Sequence, residues 1–192
     1  MDTIVSHQHT ALFYESEEEY LDIVIPFLKS GLENNEFVLW VLPEFMKVED
    51  ANIHLHKFLE NLDYFVKRGQ VLIQDYKAVY MKEGAFSSMG MMDDWVDLEK
   101  KALQKGFNGI CATGDGSWAL EDCYWWNFLT YEAELNRIIE NCKMRALCTY
   151  SKKNIDIKKI FEIGKNHQEV VVNQRGGWSR LAPGDFENNF NL

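Results

Sequence analysis

Six consecutive residues, Phe37-Val38-Leu39-Trp40-Val41-Leu42, are apolar without alternation and run straight up to Pro43. A strand with no polar face has no side to turn to water, so it must be covered on both faces, as in a parallel sheet between two layers of helices. The flanking sequence fits that arrangement. His9-Thr10-Ala11-Leu12-Phe13-Tyr14 reads as an earlier strand, and Ser16 can cap a helix in which Glu19 closes a capping box. Along that helix Tyr20, Val24, Phe27, Leu28 and Leu32 recur at helical spacing, and Pro26 is expected to bend it.

The alternation of strand and helix continues. One long helix is predicted from Lys47 to Lys67, with Val48, Ala51, Leu55, Leu59, Leu62 and Val66 on its stripe. Val71 to Asp75 reads as a strand, and Tyr76 to Gly84 shows no helical period, so a loop or excursion is expected. A helix through Trp95, Leu98, Ala102 and Leu103 ends at Gly106 and leads to a strand from Gly109 to Thr113. The clearest helix carries Phe128, Tyr131, Leu135, Ile138 and Cys142, followed by a strand from Arg145 to Tyr150. A last helix holds Ile157, Ile160, Phe161 and Gly164, Val170 to Val172 is the expected final strand, and the tail after Gly176 is expected to be loose. Helices long enough to cross over between parallel strands predict an α/β fold: a mainly parallel sheet with helices on both faces. The 192 residues suit a single domain, 1–192.

In such sheets ligands bind beyond the carboxyl ends of the strands. That rule selects Tyr14 to Glu17, Leu42 to Glu44, Asp75 to Tyr80, Gly114 to Trp118 and Tyr150 to Lys152 as the mouth of a site.

Charge narrows the partners. A net charge of -10, from 30 Asp and Glu against 20 Lys and Arg, repels phosphate backbones and anionic bilayers, so neither direct nucleic-acid contact nor membrane binding is expected. The apolar run at Phe37 is too short to span a bilayer, and nothing at the N-terminus resembles an export signal. Cys111, Cys123, Cys142 and Cys148 show no CxxC spacing, so free thiols in a reducing cytoplasm are expected.

A family resemblance is carried by His9 with Phe13-Tyr14 and Glu17, by Phe27-Leu28-Lys29-Ser30-Gly31-Leu32-Glu33, and by Glu36-Phe37-Val38-Leu39-Trp40-Val41. It continues through Gly106-Phe107, Gly114-Asp115, Trp118, Tyr131-Glu132, Leu147-Cys148-Thr149-Tyr150 and His167. In these residues the chain resembles the MEDS domain of methanogen and methylotroph proteins, the sensory part of a dichloromethane-responsive repressor. The resemblance implies a RecA-like three-layer sandwich related to the KaiC ATPases, a role in sensing small hydrocarbon derivatives, and a link to transcription regulation through a DNA-binding or signalling partner. No such partner domain is read in this sequence, so output through a separate regulatory protein or a homodimer is expected.

The turn that would hold a nucleotide in such relatives reads Tyr14-Glu15-Ser16-Glu17-Glu18-Glu19. A phosphate-binding loop needs glycines for backbone approach, a lysine for charge, and Ser or Thr for magnesium. This turn has neither glycine nor lysine, and its carboxylates repel a triphosphate. ATP hydrolysis is therefore not expected, and neither is a cofactor.

Trp118, Tyr124, Trp125 and Trp126 cluster beyond Gly114-Asp115-Gly116, where they can line an apolar pocket or serve as core or a dimer contact. His9, His167, Glu17, Glu132 and Asp115 can combine as a polar cluster or a metal site, but sequence separation hides whether they meet. His7 and His9 share a strand face if the first strand starts early, and a solvated strand start is the favoured reading over metal binding. Cys111 and Cys148 are expected to be inert and buried.

The leading expectation is a small-molecule sensor whose pocket is lined by Tyr14, Trp40, Trp118 and Tyr150 and polarised by Glu17, Asp115 and His167, with His9, Trp125, Tyr131 and Glu132 as further ligand-binding candidates. An enzyme using a reactive cysteine or bound metal is the alternative, and assembly through RecA-like surfaces a third reading.

Overall fold

The computed structural model describes residues 8–185 apart from 154 and 175. Its strands form a seven-stranded sheet in the order β3-β2-β4-β5-β1-β6-β7. These are β1 (His9–Tyr14), β2 (Phe37–Leu42), β3 (Val71–Asp75), β4 (Ile110–Asp115), β5 (Met144–Ser151), β6 (Glu169–Gln174) and β7 (Gly177–Leu181). All neighbours pair in parallel except β6 with β7. The predicted α/β architecture is therefore the observed one.

The strand period of two divides the core between the two faces. Phe37, Leu39 and Val41 of β2 join one cluster, and Val38, Trp40 and Leu42 join the other. On the second face lie α1 (Glu17–Glu33), α2 (Val48–Phe58) and α3 (Leu62–Lys67). On the first lie α4 (Tyr76–Tyr80), α5 (Ser88–Gln104), α6 (Asp122–Asn141) and α7 (Ile157–Lys165). Among the described residues no helix is long and apolar enough to cross a membrane.

Helix α1 starts as its sequence predicts, with Ser16 Oγ accepting from the Glu19 amide at 3.2 Å. Glu19 reaches one residue further back than a capping box requires and accepts from the Glu15 amide at 2.7 Å. Pro26 sits on the exposed side of a helix that continues through it.

Three elements differ from the sequence reading. The single helix expected from Lys47 to Lys67 is two, because Leu59 takes an extended conformation (φ -127°, ψ 101°) that buries its side chain and ends α2. Tyr76 to Gly84 is not a loop: Asp75 caps α4 by accepting from the Lys77 amide at 2.8 Å, and a 3-10 turn follows over Lys82–Gly84. The tail after Gly176 is not loose at its start, since Gly177–Leu181 pairs antiparallel with β6 as an edge strand. The remainder of that tail, from 186, lies outside the described residues, as does His7.

Gly31 is where α1 touches the sheet. A Cβ there would stand 2.6 Å from Cys111 Cβ, 2.7 Å from Cys111 Sγ and 3.0 Å from a Val38 methyl. Alanine normally favours a helix over glycine by about 1 kcal/mol, but here it would overpack a buried contact. Gly31→Ala is expected to lower unfolding free energy by about 1–3 kcal/mol in a urea titration; an unchanged or raised midpoint would mean that α1 does not seat this closely.

Candidate functional site

At the carboxyl ends of β1, β2, β4 and β5 a cavity of about 440 Å³ is lined by Tyr14, Glu17, Phe45, Asp115, Trp118 and Lys153 among others. Its polar floor is Asp115. One carboxylate oxygen accepts from the Tyr14 hydroxyl at 2.8 Å and from Thr149 Oγ1 at 2.9 Å, and the other accepts from the Ser117 amide at 3.0 Å. Burial raises the Asp115 pKa above its ordinary value, against the pull of these hydrogen bonds. Burial and the neighbouring Asp115 likewise push the Tyr14 phenol upward, so it remains a donor.

The two glycines around Asp115 make room for aromatic rings. A Cβ on Gly114 would collide with the Tyr80 hydroxyl, and one on Gly116 would lie 2.5 Å from the Tyr150 ring and 2.7 Å from Phe128. Trp118 stands at the cavity wall within a cluster of rings, with centroids 5.3 Å from Tyr80, 5.0 Å from Phe86, 5.7 Å from Tyr124 and 5.5 Å from Phe128. Its indole N–H is buried and has no hydrogen-bond partner.

A second constellation lies beneath α6, on the first face of the sheet. His9 at the start of β1, Glu132 on α6, Cys148 in β5 and His167 just after α7 each offer a ligand atom, and these atoms lie within 4.8 Å of one another. All four side chains are buried. His9 Nε2 is 3.3 Å from Cys148 Sγ and 3.1 Å from Glu132 Oε2, and His167 Nε2 is 3.5 Å from the same Glu132 oxygen. His167 Nδ1 lies 2.8 Å from the Ile163 carbonyl, to which it donates, and this leaves Nε2 as an acceptor facing the group. Burial takes both imidazoles down to about 3, with the proximity of His9 adding to the effect at His167. Burial raises both Glu132 and Cys148, the latter also disfavoured as thiolate by the neighbouring carboxylate. The sequence reading of a solvated start to β1 is thus corrected, since His9 is fully buried.

The other candidates fall elsewhere. Glu17 and Asp115 stand at the mouth and not with the histidines. Trp40 is fully buried on the opposite face, donating to the Tyr20 hydroxyl at 2.8 Å, and does not line the cavity. Trp125 donates to Glu162 at 3.0 Å beneath Lys159. Tyr131 accepts from Trp95 at 3.0 Å inside the core. Tyr150 lies between the two constellations, its ring 5.9 Å from His167 and against the backbone of Gly116. Two contributors were missed: Phe45, which faces the Tyr14 and Tyr20 rings, and Cys148, taken as an inert small hydrophobe. Strand parity alone could have linked Cys148 with Ala146 and Tyr150 on one face, but not with His9.

Of the thiols, Cys111 and Cys148 are buried and pushed up by desolvation, and Cys142 is raised to about 11, so a ready thiolate nucleophile is not found at these three.

Residues 8–168 match the family model described as MEDS, the MEthanogen/methylotroph, DcmR Sensory domain. No curated protein matches the sequence. Among solved structures, the chain is similar to the flagellar accessory protein FlaH from Methanocaldococcus jannaschii, with a TM-score of 0.58 and 12% identity over 92% of this chain and 77% of that one. It is similar also to a KaiC-like protein from Pyrococcus horikoshii, with a TM-score of 0.57 and 12% identity over 91% and 76%. Likeness at this level shows the fold, and that fold is the RecA-like one.

An imidazole with a pKa near 3 is neutral throughout the physiological range, while in the unfolded chain it takes up a proton below about pH 6.5. The stabilising effect of each histidine is therefore complete above that value and lost as the pH falls toward about 3. The raised Glu132 works in the opposite sense, because the fold holds its proton at pH values where the unfolded chain has released it. In an NMR titration the His9 and His167 ring resonances are expected to stay fixed between about pH 5 and 8. Movement of either in that window would show that the pocket is wet.

Proposed function

The chain belongs to the MEDS family of sensory domains, and we propose that it senses a neutral, largely apolar small molecule bound in the cavity at the carboxyl ends of the strands. The observation that carries this reading is the cavity wall itself: the rings of Phe45 and Trp118, and a carboxylate floor already satisfied by its own neighbours. Such a wall suits a ligand with apolar bulk and few polar groups. A volume of about 440 Å³ exceeds what a one-carbon compound fills, so compounds of several carbon atoms fit it better.

The acidic wall disfavours anions. Glu15, Glu17, Glu44 and Asp115 line the cavity against a single lining cation among the described residues, Lys153, and the neighbouring Lys152 is engaged with Glu15 at 2.7 Å. A triphosphate would meet like charge where a phosphate loop would offer amides and lysine.

Output then requires the mouth to move something outside it. Glu17, at the cavity edge, also reaches His54 of α2 at 3.4 Å, so a ligand that displaces Glu17 shifts the position of α2. A population shift of this kind would be read by a regulatory partner or a second copy of the chain. Its link to transcription and a cytoplasmic setting belong to the same proposal.

Two measurements test it. Titration of the purified chain with a series of neutral haloalkanes and short alcohols, from dichloromethane upward in size, is expected to give a saturable change in tryptophan fluorescence. Phe45→Ala is expected to weaken the tightest of these by about tenfold, as befits loss of one half-buried ring, while leaving the thermal midpoint nearly unchanged. Isothermal calorimetry with ATP is expected to show no binding. A micromolar ATP complex, or a flat response to every compound in the series, would refute the reading.

A further inference from the structure

We propose that His9, Glu132, Cys148 and His167 form a closed, four-ligand site for a divalent ion of the zinc class. The inference stands on geometry that the sensing role does not use. Tetrahedral coordination with bonds of about 2.0–2.3 Å places neighbouring ligand atoms about 3.3–3.8 Å apart. The quartet shows 3.1 Å from His9 Nε2 to Glu132 Oε2, 3.3 Å from His9 Nε2 to Cys148 Sγ, and 3.5 Å from His167 Nε2 to Glu132 Oε2. Three of the six edges are thus near that spacing and all four atoms lie within 4.8 Å of one another, so small side-chain shifts would bring them to the corners of such a figure.

Hydrogen bonding within the group leaves part of it unsatisfied. His167 spends its Nδ1 proton on the Ile163 carbonyl, so its Nε2 has a lone pair and nothing to donate. That Nε2 and Glu132 Oε2 are both buried without a hydrogen bond of good geometry, although the Tyr150 hydroxyl and the Cys148 thiol stand close enough to bear on the Glu132 carboxyl. Leaving such atoms unpaired in a core costs about 1–3 kcal/mol each. A cation between them satisfies both at once, and the Nδ1 bond to a backbone carbonyl is the supporting contact that metal-bound imidazoles usually make.

Charge also balances. A divalent ion brings two positive charges, and deprotonated Cys148 and Glu132 bring two negative ones, while both imidazoles bind as neutral ligands. The buried assembly is then neutral overall, which a core can tolerate. Binding would release the thiol and carboxyl protons to solvent. One sulfur, two nitrogens and one oxygen suit zinc, cobalt or iron(II) and are poor for magnesium and calcium, which take oxygen ligands.

Because all four positions come from the protein, the ion would be structural. Its ligands come from β1, β5, α6 and the turn after α7, so it would tie the helix layer to the centre of the sheet.

The test uses the full chain purified without an affinity tag, once from ordinary medium and once from medium supplemented with cobalt(II). Elemental analysis is expected to find about one metal ion per chain. The cobalt form is expected to show a thiolate-to-cobalt charge-transfer band together with the intense visible bands of tetrahedral cobalt. Cys148→Ser should remove the charge-transfer band, Glu132→Gln should at least halve metal content, and His56→Ala, on the exposed face of α2, should change neither. Metal without the thiolate band, or a band that survives Cys148→Ser, would place the ion elsewhere and overturn the proposal. So would a metal-free chain that melts cooperatively and gives no band when produced with cobalt. If Cys148→Ser does not fold, the metal content and spectrum of the unaltered chain decide the matter.

Discussion

Everything distinctive about this chain depends on the register in which β1 lies between β5 and β6. His9 is level with Ala146, Ala11 with Cys148 and Tyr14 with Ser151, while Ala11 on its other side is level with Val170. Side chains alternate across a strand, so this register sends His9 under α6 and brings Tyr14 to the mouth beside Asp115. A slip by one residue would exchange the faces and put the imidazole on the α1 side of the sheet, the face on which Leu12 packs. One strand thus contributes to both polar constellations, one from each end.

Both constellations sit where desolvation is costly, and they meet that cost differently. Asp115 is surrounded by donors: Tyr14, Thr149 and the Ser117 amide all point at it. Arg145 on the second face is met largely the same way, donating twice to Glu36 at 2.8 and 2.7 Å and once to Ser30 at 2.8 Å over the Phe27 ring, with its Nη1 alone left without a partner. The quartet at His9 is less completely surrounded: Asn136, the Asn166 backbone, Tyr150 and the Ile163 carbonyl bear on its edges, while the atoms that face inward meet chiefly one another. That contrast within one core separates a satisfied buried carboxylate from a set of ligand atoms converging on a common point.

Local signals made most of the fold legible. The unalternating run at Phe37, the Ser16 cap and the apolar stripe of α6 each state their element within a few residues. The failures came where tertiary packing overrode local pattern. Leu59 keeps the helical stripe yet leaves the helix, because an extended backbone there buries its side chain. The edge strand β7, with Trp178 and Ser179 half-buried and Arg180 exposed, has only a weak alternation to announce it. The mouth was readable because its position follows from the rule for parallel sheets. The quartet was not: Cys148 meets His9 across 139 positions of sequence, through a strand order in which β5, β1 and β6 are neighbours. Nothing local to Cys148 distinguishes it from Cys111, which is also buried but sits in the apolar core with its thiol 3.6 Å from the Phe27 carbonyl.

The turn after β1 shows why loss of nucleotide chemistry and gain of a different pocket go together. In a phosphate site the amides at the start of α1 stay free to face an anion. Here the chain supplies its own: Glu19 takes the Glu15 amide, Ser16 takes the Glu19 amide, and Glu17, Glu18 and Glu19 occupy the first turn, where negative charge offsets the helix dipole. Lys152 is drawn onto Glu15. With these two amides and the dipole engaged internally, and one lining cation, Lys153, set against several carboxylates, what the cavity presents is Phe45, Trp118 and a screened carboxylate. A RecA-like frame that neutralises its own anion site in this way retains the crevice at the strand ends, and the chemistry that can occupy it changes from charged to neutral.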